Sequence, residues 1–127
     1  MTRLNLGQLI DHFVPKTNAY LVLQRVYFEF ADAIPRQVMS YRGYYEDLAI
    51  TYEVGGRWPE MSSADFYTML KRADGDVFTG YKGGEFEMSR DSRVWVSSSG
   101  MASKTVVVGV RFQSEHAAYL QTAFLDE

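Results

Sequence analysis

The sequence predicts one α+β domain: an antiparallel β-sheet with an N-terminal helix and a central capped helix. Three observations carry that expectation. A serine-led amphipathic run with helical spacing occupies residues 62–73. Short segments rich in β-branched and aromatic residues flank it, separated by turns bearing glycine or serine. Finally, a strand group, a helix and a second strand group is an α+β order, unlike regular βα alternation. At 127 residues a single domain is the prior. Its expected organisation is an N-terminal helix in 1–14 serving as an oligomerisation clasp, a core over 19–112 and a tail over 113–127.

Taken in order, Leu4, Leu6, Leu9, Ile10 and Phe13 have three-to-four spacing, which predicts a short amphipathic helix ending before Pro15. So short a helix is marginal alone and needs a surface on which to bury its apolar stripe; a partner subunit is the expected one. Residues 19–30 (AYLVLQRVYFEF) read as a strand. Residues 31–40, with Ile34-Pro35, read as a loop, residues 48–53 (LAITYE) as a strand, and residues 55–57 as a turn. The central helix starts on a serine cap with Asp65 in its first turn, where negative charge suits the helix end. Phe66, Met69, Leu70 and Ala73 then form its core-facing stripe. Strands follow at 77–79, 86–88, 93–97 and 104–112, and Ala117, Leu120, Ala123 and Phe124 suggest a short helix or a frayed end.

Composition narrows the function classes. The chain has no cysteine, which removes disulfides, thiolate metal sites and cysteine nucleophiles and fits a reducing cytoplasm. The N-terminus is too polar for a signal peptide, and no stretch approaches the roughly 20 apolar residues of a membrane span. A net charge of −3 argues against general binding of DNA or RNA. Residues 71–111 nevertheless hold seven basic residues against five acidic, so an anion-binding surface is expected to draw on that block.

Three constellations have chemistry suited to a ligand. In residues 40–47 (SYRGYYED), Arg42 offers a charged planar fork for phosphate, Tyr41 and Tyr44 offer rings and hydroxyls, and Gly43 permits close approach. A tight turn whose arginine pairs with Glu46 or Asp47 explains the same residues without a ligand. In residues 79–84 (TGYKGG), Gly80, Gly83 and Gly84 free the main chain to turn amides towards an anion, beside Thr79, Tyr81 and Lys82. The Walker spacing is absent, and a glycine-rich hairpin is the alternative. In residues 94–100 (VWVSSSG), Trp95 is either a core ring or a ligand platform, and Ser98 lies in a hydroxyl-rich turn. Catalysis has little support: His12 and His116 lie near opposite ends, and neither a zinc-ligand motif nor a nucleophile elbow is present. Neither a metal nor a cofactor is expected.

The order YRGYYEDLA, capped helix, FTGYKGGEFEM, V-W-V strand and final VVVGVR resembles the first family of phage-encoded Thoeris anti-defence proteins, over about residues 20–112. The resemblance implies a non-enzymatic sponge in the host bacterial cytoplasm. It would bind cyclic ADP-ribose isomers, and in some members cyclic oligonucleotides at a separate site, as a homodimer or a hexamer of dimers. The ligand-binding residues it would use here are Tyr41, Arg42, Gly43, Tyr44, Thr79, Gly80, Tyr81, Lys82, Gly83, Gly84, Trp95 and Ser98. The chain departs from the family pattern after the V-W-V strand, where Ser97-Ser98-Ser99 stands in place of a frequent asparagine. A small protein that inhibits a defence enzyme directly, or an enzyme that cleaves such nucleotides, are the other readings of the same chain.

Overall fold

The computed structural model describes residues 3–14, 23–55, 59–98 and 103–125. Helix α1 (Leu6–His12) begins at Asn5, whose side chain accepts the Gln8 amide while the Gln8 side chain accepts the Asn5 amide. Strand β1 (Arg25–Phe28) leads through a 3-10 turn (Phe30–Asp32) into β2 (Ile34–Tyr41) and β3 (Tyr44–Glu53). After β4 (Met61–Ser62) comes α2 (Ser63–Ala73), then the hairpin of β5 (Val77–Thr79) and β6 (Glu85–Glu87). The chain ends in β7 (Val94–Val96), β8 (Thr105–Phe112) and β9 (Ala117–Phe124). The predicted strand over 19–30 is described only from residue 23, and Gly56 and Arg57 of the predicted turn lie outside the described residues.

A seven-stranded sheet in the order β2-β3-β7-β8-β9-β1-β4 forms the body, and β5-β6 stands apart as a second, two-stranded sheet. The α+β class holds, but the antiparallel expectation needs correction: the large sheet is mixed, with β3 parallel to β7 and β1 parallel to β9. A parallel pair needs a long crossover, and residues 54–93, carrying α2, supply one between β3 and β7.

Two element predictions also fail. The segment read as a loop is β2. Pro35 cannot donate to a ladder, but β2 is the sheet's edge, where that costs nothing on the open side. The tail read as helix or frayed end is β9, hydrogen-bonded to β8 on one side and β1 on the other. Its Ala118 and Leu120 alternate inwards.

The sheet is curled. Strands β1 and β2 are separated by four strands in the sheet, about 24 Å if flat at ~4.8 Å per step. Yet the Phe28 amide donates to the Ala33 carbonyl at 2.8 Å across the short turn joining them. One face of this sheet packs Val26, Phe28, Leu48, Ile50, Val94, Val96 and Val107 against Leu6, Leu9, Ile10 and Phe13 of the α1 segment and Phe66 and Leu70 of α2. Phe13 meets Phe66 edge-on at 5.0 Å. The α1 stripe predicted to clasp a partner is therefore buried in its own chain, at 0–1% exposure. The other face carries a smaller cluster of Tyr41, Ala49, Trp95 and Val106. Among the described residues no helix is long and apolar enough to cross a membrane.

Candidate functional site

The turn between β2 and β3 is Arg42-Gly43, with Gly43 at φ 140°, a left-handed value that favours glycine. It is a bulged hairpin: Tyr41 pairs with Tyr44, whereas Ser40 already pairs with Leu48. Three extra residues on β3 are thus pushed out of register, and the Ser40 hydroxyl holds the distortion by donating to the Tyr45 carbonyl at 2.6 Å. The β5–β6 turn closes through the Gly83 amide on the Gly80 carbonyl (2.9 Å) and the Gly80 amide on the Gly84 carbonyl (3.0 Å).

These two turns meet. The Arg42 guanidinium lies 3.6 Å from the Tyr81 ring centroid, and Tyr45 stacks on Phe86 at 5.8 Å. Gly80 is the hinge of the junction, because a Cβ there would sit 2.9 Å from the Phe86 ring and 3.2 Å from the Tyr45 ring. Thr79, Tyr81, Lys82, Gly83 and Gly84 are exposed around it. The expected cradle of amides is only part of what forms, since Gly80 and Gly83 spend their amides inside the turn. Gly83 and Gly84 are needed for their φ of 92° and 82°.

Behind the junction is a ring array. Tyr41 stacks on Trp95 at 4.4 Å and 5°, and Tyr44 lies 5.9 Å from the same indole. Arg3 covers Trp95 at 4.2 Å. Trp95 donates its indole N–H to Asp47 at 2.9 Å, and the Tyr41 hydroxyl accepts the amides of Ser103 and Lys104. Both rings are 2% exposed. The two rings cover each other and their polar atoms are already bonded, so of the two readings of Trp95 the structure has the core ring, with Tyr41 packed on it. Tyr44 differs, being 44% exposed. Ser98 is exposed beyond buried Ser97 and takes no part in the junction.

Sequence reasoning missed the charged centre of this array. Asp47 is 3% exposed, and its Oδ2 accepts the Trp95 N–H and forms an ion pair with Arg93, whose Nε lies 3.1 Å away. Arg93 also lies 5.2 Å from the Tyr44 centroid. An acid in a tyrosine-rich turn looks like a surface charge, and only the parallel pairing of β3 with β7 brings it beneath Trp95. The His12 Nδ1 lies 2.8 Å from the Gln8 carbonyl, which accepts its N–H, and His116 is exposed beside Glu115. Among the described residues no group of three or more His, Asp or Glu could hold a metal ion.

Two open concavities lie elsewhere. One, of about 490 Å³, is lined by Val38, Met69 and Phe78 together with Asp65, Arg72 and Asp76, among others. The other, of about 320 Å³, is lined by Phe30, Tyr52, Thr122 and Phe124 among others. Neither is lined by a predicted site residue. The fold and site together describe a small α+β protein with an exposed cation–aromatic junction between two turns. In comparison with known proteins, the chain matches no family model, no curated protein and no solved structure.

Proposed function

We propose that this protein binds and sequesters a cyclic ADP-ribose-type nucleotide without cleaving it, as a phage anti-defence sponge acting in the host cytoplasm. The observation that carries the reading is the Arg42–Tyr81 contact, which joins the two predicted ligand loops on one exposed surface. A nucleotide of this class presents a pyrophosphate, ribose hydroxyls and a flat base. Arg42 and Lys82 supply cations for the first, Thr79 a hydroxyl for the second, and the exposed Tyr44 and Tyr81 rings stacking faces for the third. Arg42 can leave Tyr81 to meet phosphate, because an exposed cation–π contact contributes only about 0.5–1 kcal/mol. Cyclic oligonucleotide binding and assembly as a homodimer or hexamer belong to the same proposal.

Arg42→Ala removes a charge-assisted contact, so nucleotide affinity is expected to fall roughly ten- to a hundred-fold with the melting temperature unchanged. Calorimetry with a cyclic ADP-ribose isomer checks this, and an affinity equal to wild type would remove Arg42 from the site. Mass spectrometry of the ligand released on denaturation then separates the mechanisms. Intact nucleotide supports the sponge, fragments point to an enzyme, and protein free of nucleotide points to direct inhibition of a defence protein.

A further inference from the structure

The Arg93 guanidinium is held in an unusual way for an exposed cation. Its Nε lies 3.1 Å, at ion-pair distance, from a carboxylate that is itself buried and anchored by the Trp95 N–H. The plane rests near the Tyr44 ring. The side chain is 48% exposed, and its two terminal amino groups make no hydrogen bond to the described residues. An arginine ion-paired on its Nε side and lying over a ring keeps its outer N–H groups available, which is the arrangement that suits bidentate capture of an oxyanion. Less side-chain entropy is then lost on binding, because Asp47 and Tyr44 have restricted the rotamers beforehand.

The local charge favours the same chemistry. Arg3 lies over Trp95, 4.2 Å from the ring centroid. Around this array Arg3 and Arg93 stand against the one buried carboxylate of Asp47, in a chain whose net charge is −3. If Arg93 served only to neutralise Asp47, a lysine would do as well, and neither the exposed fork nor the ring beneath it would be required.

We propose that Arg93, positioned by Asp47 and Tyr44, is a binding site for a phosphate-type oxyanion, placed beside an exposed ring on which the flat part of the same ligand can stack. The site does not depend on cyclic ADP-ribose being the natural ligand, and inorganic pyrophosphate tests it directly. Calorimetry should show pyrophosphate binding by the full chain, and Arg93→Lys should weaken it roughly ten-fold with an unchanged melting temperature. Lysine keeps a cation for Asp47 but loses the planar fork. Tyr44→Leu provides the second variant. It leaves the Arg93–Asp47 pair in place and removes the ring that steadies the guanidinium, and a several-fold loss of pyrophosphate affinity is expected. No pyrophosphate binding by the wild-type chain overturns the site. So does wild-type affinity in Arg93→Lys or, should that variant melt early, in Tyr44→Leu. Absence of cyclic ADP-ribose binding alongside intact pyrophosphate binding would overturn the proposed function and leave this site standing.

Discussion

Tyr27 shows how one side chain can carry a pH dependence. Its hydroxyl donates to Glu60 at 2.5 Å, with Arg25 on the far carboxylate oxygen at 3.8 Å. Burial, then the bond to Glu60, raises its pKa from 10.0 to about 12. The folded chain thus holds this proton more tightly than the unfolded one. Its stabilisation is complete below pH 10 and is lost as the pH climbs towards 12. The stability gap between wild type and Tyr27→Phe should therefore shift against the wild type over that interval, and a constant gap would show that the phenol ionises at the same pH in the folded and unfolded chains. Gly80 makes a steric case at the same scale. Alanine there must displace the Phe86 and Tyr45 rings, so overpacking should cost about 1–3 kcal/mol in denaturant unfolding. Gly83 has open space where its Cβ would be, so alanine there strains only the backbone.

Single elements depend on caps and buried polar anchors more than on their propensities. The Ser62 hydroxyl accepts the Asp65 amide at 3.0 Å, and Ser62→Ala should destabilise the protein by about 1 kcal/mol in thermal unfolding. A serine before an apolar stripe has a local signature, so α2 and its cap were legible from sequence. Strand β2 was not, because proline in a short run reads as a breaker until the strand is known to lie at an edge. Strand β9 was not, because Ala117, Leu120, Ala123 and Phe124 satisfy loose helical spacing, whereas the inward alternation is carried by Ala118 and Leu120 alone. Its extended form follows from two neighbouring strands that no local window contains. The candidate site divides the same way. Arg42-Gly43 and the glycine turn are visible as motifs, whereas their contact through Tyr81 and the Asp47–Arg93 pair depend on tertiary packing.

At the scale of the whole molecule the open question is what α1 is for. Helical spacing identifies its stripe but not the surface it covers, since a partner and the chain's own core make the same demand. In the structure Leu6, Leu9 and Ile10 lie in the main cluster, and the Leu4 amide ties the preceding residues to β8 through the Val107 carbonyl at 2.8 Å. Arg90 clamps the helix from outside, bonding the Gly7 carbonyl at 3.2 Å and Asp11 at 2.7 Å. Two arrangements then predict opposite behaviour for Leu9→Ala. If α1 is part of the core, truncating a fully buried leucine leaves a cavity and costs about 2–5 kcal/mol of unfolding free energy. The mass measured by light scattering then stays that of the wild type at concentrations where the variant is folded. If α1 is a clasp, the mass falls and the protomer's own stability barely changes. The buried stripe leads us to expect the first result. A drop in mass without loss of stability would instead mean that α1 leaves this position to grip a second chain.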